Sequence, residues 1–215
     1  MDGNGRWAKK RLLPRLAGHR AGADTLDRVM HYCREAGVEY LTVYAFSTEN
    51  WKRSTEEVSG LMRLLSSYIH DKEKELVANG VRFRVIGRRS DLSEKLQTEI
   101  RALEEATAAG TFTLVVALSY GGRDDIIRAA AKYKGGGEEE FAKCLDTAGI
   151  PDPDLLIRTS GELRISNFLL WQAAYAEFYF TDVLWPDFDR EEFDKALSAY
   201  SKRERRMGAR PGEGK

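Results

Sequence analysis

The sequence predicts a single α/β domain, residues 1–215, with a mainly parallel central sheet and helices on both faces. Three observations predict it. Short runs rich in Val, Ile, Leu and aromatics alternate with helical patterns, and strand–helix alternation builds βαβ units. No internal repeat or linker interrupts that alternation. At 215 residues the chain suits one domain with a full core.

In order, the chain opens on Met1-Asp2-Gly-Asn-Gly-Arg6, a glycine loop. Such a loop hangs from the end of a strand, so an apolar strand is expected ahead of Asp2. A helix follows over about Arg20 to Glu35, and Tyr40 to Phe46 is a strand. The next helix, Thr55 to Asn79, carries Val58, Leu61, Met62, Leu65, Tyr68, Ile69 and Leu76 at helical spacing. Val81 to Ile86 and Phe112 to Leu118 are strands around a helix at Leu92 to Ala108. Gly37, Gly80 and Gly110 follow the first three helices as C-terminal caps. Helices are expected at Arg123 to Tyr133, Glu138 to Thr147 and Arg190 to Arg203, with short strands at Leu155 to Ile157 and Phe178 to Phe180. Gly135-Gly-Gly137 reads as a flexible connection.

Lys plus Arg and Asp plus Glu both number 34, so bulk charge makes no case for nucleic acid or anionic membranes. An arginine cluster in such a chain is local. Cys33 and Cys144 match no metal or redox spacing and read as reduced thiols in a cytoplasmic setting. No apolar run reaches the length that crosses a bilayer.

The stretch from Asp152 to Asn167 runs from a strand into a loop that presents Arg158, Ser160, Arg164 and Ser166. Guanidiniums and hydroxyls on glycine-permitted backbone suit a diphosphate, and open α/β sheets bind ligands beyond the carboxyl ends of their strands. The opening loop is a second anion site. Gly3 and Gly5 let N–H groups converge, Arg6 adds charge, and Arg15 and His19 follow. Asp2 beside an anion needs a bridging cation, for which Mg²⁺ is suited; otherwise it caps a turn. After the strand ending at Phe46, Ser47, Asn50 and Arg53 occupy a polar loop. Trp51 there packs on an apolar ligand or in the core. Tyr120-Gly-Gly-Arg-Asp125 repeats the pattern as a tight turn into a helix.

Together these residues resemble the cis-prenyltransferases, most closely the bacterial undecaprenyl diphosphate synthases. The motifs are Met1-Asp-Gly-Asn-Gly-Arg-Trp-Ala8, His19 with Gly22, Tyr44-Ala-Phe-Ser-Thr-Glu-Asn-Trp51, Tyr120-Gly-Gly-Arg123, Ile157-Arg-Thr-Ser-Gly-Glu162, Arg164-Ile-Ser-Asn-Phe-Leu-Leu-Trp171, Tyr175-Ala-Glu177 and Trp185-Pro-Asp187. The resemblance implies Mg²⁺-dependent, sequential condensation of isopentenyl diphosphate onto farnesyl diphosphate with cis geometry. It implies Asp2 and Asn50 as catalytic residues. Gly3, Asn4, Gly5, Arg6, Trp7, Arg15, His19, Ser47, Trp51 and Arg53 are implied on the allylic side. Arg158, Arg164 and Ser166 would hold isopentenyl diphosphate. Asp2 and Glu177 are the implied metal ligands, Glu177 reaching across a homodimer interface near Arg203 to Arg206. Peripheral membrane contact through a lipid product is also implied. Leu163 stands where some members carry a histidine, and Ala45 and Phe112 point in opposite directions on product length. A non-catalytic partner subunit is the competing reading; it would be expected to lack Asp2 and the Asn50-Trp51 pair, and both are present.

Overall fold

The computed structural model describes residues 1–203. Five strands and seven helices position the site. The three longer strands, β1 (Tyr40–Ser47), β2 (Val81–Ile86) and β3 (Phe112–Tyr120), form one parallel sheet in the order β1-β3-β2. β3 is buried at every position, which is what a central strand covered by helices on both faces requires. β4 (Leu155–Arg158) and β5 (Glu177–Phe180) form a separate parallel pair. The expected mainly parallel sheet is thus present as two parallel units.

The helices differ from expectation at the start of the chain. The opening glycine loop is the entry to a helix, α1 (Asn4–Lys10), and α2 (Arg15–Glu35) begins five residues before the expected Arg20. Arg6, Trp7, Arg15 and His19 therefore stand on helices. Glycines make this corner: a Cβ on Gly18 would lie 2.0 Å from the Asn4 carbonyl oxygen, and one on Gly22 would lie 2.4 Å from Asn4 Oδ1. Only glycine at both positions lets α2 pass directly behind the first turn of α1. Gly3 is left-handed, φ 106°, and a Cβ there would meet Leu184 at 2.9 Å.

α3 (Thr55–Ala78), α4 (Glu94–Ala106) and α7 (Arg190–Ser201) start where side-chain caps stand. Ser54, Ser93 and Asp189 accept from the N–H groups of Glu57, Leu96 and Glu192, satisfying donors that a helix start orphans. α5 is Gly122–Lys132. α6 stops at Ala142, five residues short of the expected Thr147. Tertiary anchoring explains the early stop: Asp146 N–H donates to Asp125 Oδ1 at 2.9 Å, and the Asp146 carboxylate takes Arg128 at 2.6 and 2.7 Å. One core cluster joins α2, α3, α4 and α7 to the three-stranded sheet, with Leu114, Ile100 and Leu103 fully buried. Each such side chain contributes about 1.5–3 kcal/mol, several times an exposed ion pair at about 0–1 kcal/mol. The apolar core holds the fold, and the ion pairs at its rim are free to exchange. Among the described residues no helix is long and apolar enough to cross a membrane.

Candidate active site

Three loops meet beyond the carboxyl ends of β1, β3 and β4. Asn167 ties them together. Its Nδ2 donates to Glu49 after β1 at 2.9 Å, its Oδ1 accepts from Arg123 N–H at 2.9 Å, and its carbonyl accepts from Gly122 N–H at 2.6 Å. The loop that carries it is conformationally strained: Ser160, Ser166, Asn167 and Leu169 all have positive φ. Non-glycine residues hold such angles only where their surroundings over-determine them, a condition that clusters at ligand sites.

Asp2 sits where α1 meets β4. Its main chain is clamped on two sides: Asp2 N–H donates to Thr159 Oγ1 at 2.9 Å, Thr159 O–H donates to Asp2 O at 2.8 Å, and Trp185 N–H donates to Asp2 O at 2.9 Å. The side chain stays partly open. Its Oδ1 accepts from Gly3 N–H at 3.0 Å, its Oδ2 from Arg158 at 3.0 Å, and Arg6 stands 3.8 Å away. Arg158 is the hub of this end: it also donates to Ser166 Oγ at 2.8 Å and to the Arg164 carbonyl.

A second basic group gathers on Glu57, in the first turn of α3. Arg15 reaches it at 2.8 Å and Arg53 at 3.0 Å. Burial, and then the Arg53 guanidinium, pull the His19 imidazole below its ordinary value. His19 is thus neutral at pH 7, and its 4.0 Å approach to Glu57 is no ion pair. His19 Nε2 and Asn4 Oδ1 are buried without a hydrogen-bond partner. Asn50 closes the 3₁₀ turn after β1 by accepting from Ser47 N–H at 3.1 Å.

Asp2, Arg158, Ser166, Asn167, Glu57 and the cations and polar groups gathered on Glu57 line one cavity of about 1500 Å³, larger than the ~300–1,000 Å³ usual for small-molecule sites. Below the charged rim its walls are apolar: Leu26 and Val29 of α2, Leu61 and Leu65 of α3, and Phe83 and Val116 of the sheet. Residues of β1 and β4, each at an edge of its sheet, line the same space. Ala45 lines it, whereas Phe112 is buried in the core.

The structure brings Asp2, Gly3, Asn4, Gly5, Arg6, Arg15, His19, Ser47, Asn50, Arg53, Arg158 and Ser166 to this cavity. Four expected residues lie off it. Trp51 donates its indole N–H to Ser119 Oγ at 2.8 Å and packs edge-on against Phe46 at 4.9 Å, so it serves the core. Trp7 donates to Asp187 at 2.6 Å, with Arg11 over its ring. Arg164 is 62% exposed and paired with Glu162. Glu177 lies opposite Leu155 while Arg158 lies opposite Phe180. Three strand residues, about 10 Å, therefore separate Glu177 from the Asp2 end, and Glu177 pairs with Arg203. Residues 204–206 of the expected interface tail lie outside the described residues.

Sequence reading missed the carboxylates that hold the cations, Glu57 and Glu162, the latter 3.0 Å from Arg6. It also missed Thr159 and Asn167. Ser54-Thr-Glu-Glu57 has the form of a capping box, and that signal marks a helix start whether or not the Glu also faces a site.

Among the described residues no three or more His, Cys, Asp or Glu side chains converge to hold a metal. One partly open carboxylate, Asp2, nonetheless fits Mg²⁺, which takes one or two carboxylates and completes its shell with phosphate oxygens and water.

Fold and cavity together define a class: α/β proteins with one chamber that is charged at the strand ends and apolar between helices and sheet. The chain belongs to the undecaprenyl diphosphate synthase family of prenyltransferases, since the family model described as "Putative undecaprenyl diphosphate synthase" matches residues 1–208. An isoprenyl transferase of Fusobacterium nucleatum is 55% identical, over 97% of this chain and 93% of that protein. The ditrans,polycis-undecaprenyl-diphosphate synthase ((2E,6E)-farnesyl-diphosphate specific) of Pseudomonas aeruginosa is 51% identical, over 97% and 88%. The crystal structure of lavandulyl diphosphate synthase from Lavandula x intermedia, in complex with dimethylallyl diphosphate, superposes with a TM-score of 0.91 at 36% identity, covering 95% of this chain and 94% of that one.

Proposed function

We propose that this isoprenyl transferase condenses isopentenyl diphosphate repeatedly onto farnesyl diphosphate, with cis geometry, to give a long-chain polyprenyl diphosphate of the undecaprenyl type. The observation that carries the proposal is one cavity in which two separate cationic groups, around Asp2 and Arg158 and around Glu57, share an apolar chamber. The farnesyl-diphosphate specificity in the name of the Pseudomonas relative supports farnesyl diphosphate as the primer.

In this reading the allylic diphosphate lies against Gly3, Asn4, Gly5, Arg6, Arg15, His19 and Arg53, and isopentenyl diphosphate against Arg158 and Ser166. The Arg15–Glu57 pair, with Arg15 63% exposed, is worth at most about 1 kcal/mol, so a diphosphate displaces or shares it readily. Arg164 joins by leaving Glu162. His19 Nε2, buried without a partner, gains a hydrogen bond by donating to a diphosphate oxygen, and the Asn4 amide N–H, now 3.4 Å from the Met1 carbonyl, donates to another. The allylic C–O bond breaks with its electron pair passing to the diphosphate. The terminal alkene carbon of isopentenyl diphosphate bonds to the allylic carbon, and the adduct loses a proton. Arginines placed before reaction meet the charge that develops on the leaving group, the arrangement that lowers such barriers most. Holding both substrates in register removes much of the entropic cost. Asn50, fixed by Ser47 N–H and lining the same cavity, is the catalytic asparagine in this reading.

Bound Mg²⁺ adds Lewis-acid neutralisation of the leaving diphosphate. Asp2 would be its ligand from this chain, and Glu177 of a second copy of the chain would supply the other. Ala45 leaves depth in the chamber for a long product; a shorter cis-prenyl diphosphate is the alternative outcome.

The test is incorporation of radiolabelled isopentenyl diphosphate into butanol-soluble product, with farnesyl diphosphate and Mg²⁺ present. A long-chain product on chromatography is expected. Addition of a single unit would make the protein a short-chain synthase, and no incorporation by folded protein would refute the enzyme reading.

A further inference from the structure

The corner between α1 and α2 is built in a way that its own packing does not explain. α1 ends in a paired turn in which Leu12 N–H donates to Lys9 O at 3.2 Å and Leu13 N–H to Ala8 O at 2.9 Å. These are the two bonds of a Schellman motif, whose left-handed residue is ordinarily glycine. Here that residue is Leu12, with φ 56° and 95% exposed. A leucine so placed strains the backbone and leaves its apolar surface in water, with no contact inside the chain in return. Leu13 and Leu16 are exposed beside it, so this short stretch holds three of the eight exposed large apolar side chains among the described residues.

The charge around the corner is one-sided, although the chain as a whole is neutral. From Gly3 to Ala23 there are six cations, Arg6, Lys9, Lys10, Arg11, Arg15 and Arg20, and no carboxylate. Arg11 is held by Asp187 and Arg15 by Glu57. Lys9, Lys10 and Arg20 are exposed and make no ion pair among the described residues. Apolar side chains ringed by unpaired cations match a bilayer surface, with an acyl boundary for the leucines and lipid phosphates for the ammonium and guanidinium groups.

We infer that the α1–α2 corner is a docking surface for an anionic lipid bilayer, entered by Leu12 and Leu13. The corner adjoins the cavity: Lys9 and Arg15 line it, and Leu16 lies against Gly60 of α3, which is followed by the lining residue Leu61. Docking there sets the cavity beside the membrane, where a long apolar chain leaves without crossing water. That purpose rests on the proposed function; the surface argument does not.

Flotation of the full chain with equimolar phosphatidylglycerol–phosphatidylcholine vesicles tests the inference, with pure phosphatidylcholine vesicles in parallel. Binding to the anionic vesicles, weakened by salt and by omission of phosphatidylglycerol, is expected. Leu12→Gly relieves the left-handed strain and so keeps the fold, which a thermal melt checks. It should lower partition about tenfold, the loss expected for withdrawing one leucine from the acyl boundary. Lys10→Glu with Arg20→Glu should lower it at least as far. Elongation assayed in detergent is read separately, and Leu12→Gly should leave it unchanged, so failure of docking and failure of the enzyme reading are distinguishable. No vesicle binding by folded protein overturns the inference, as does equal binding by Leu12→Gly. A change in oligomeric state with vesicle binding intact would make the corner a protein interface instead.

Discussion

Asp2→Ala is expected to lower turnover by about a thousandfold while farnesyl diphosphate affinity changes by less than about tenfold. The asymmetry follows from how Asp2 is held. Its main chain is clamped by Thr159 and Trp185, so the variant keeps α1 and the cationic residues in place. Its carboxylate, 41% exposed and turned to the cavity beside Arg158, is the group proposed to meet the metal and the leaving diphosphate. Pre-steady-state turnover and equilibrium binding of the farnesyl substrate separate the two quantities. A near-normal rate would show that the metal role belongs elsewhere.

Arg158→Ala is expected to raise the KM for isopentenyl diphosphate by about a hundredfold, with a smaller fall in kcat, as removal of a bidentate anion contact does. Arg158 is only 13% exposed and bonds Asp2, Ser166 and the Arg164 carbonyl at once. Its loss frees both the strained loop and the carboxylate, and thermal stability should fall by about 1–2 kcal/mol. Arg164→Ala, at a side chain 62% exposed and paired outward, should cost about tenfold or less. Steady-state kinetics with each substrate varied in turn decides the assignment. A loss confined to farnesyl diphosphate would move Arg158 to the allylic side.

What the sequence made legible, and what it hid, follows from the range of the forces involved. β2 has the expected limits and β1, β3, β4 and β5 agree within two residues, because apolar runs bounded by glycine and polar residues are a local signal. α1 was hidden because Gly3-Asn-Gly5 is poor helix-forming sequence. Its stability comes from packing on Gly18 and Gly22 of α2, a contact that propensity does not contain. The end of α6 is set by Asp125 and Arg128, which bind Asp146 from another helix.

The site divides in the same way. Residues attached to strand ends and to the first turns of α1 and α2 reach the cavity as expected, since main-chain position decides where they point. Trp51, Trp7 and Arg164 do not, because a loop or surface side chain takes its direction from partners distant in sequence: Ser119, Asp187 and, through the left-handed loop, Glu162. The carboxylates Glu57 and Glu162 went unread because an acidic residue near a helix start or in a loop has many ordinary uses. Leu12 was equally silent, since its exposure arises only from the conformation of the turn.

One chain is proposed to hold two diphosphates side by side in a single cavity. Calorimetric titration with farnesyl thiodiphosphate, an unreactive allylic analogue, followed by isopentenyl diphosphate in the presence of Mg²⁺, measures this directly. One equivalent of each is expected to bind together, with the second binding lost in Arg158→Ala and the first retained. Mutual displacement of the two ligands would mean one diphosphate site, and would contradict it.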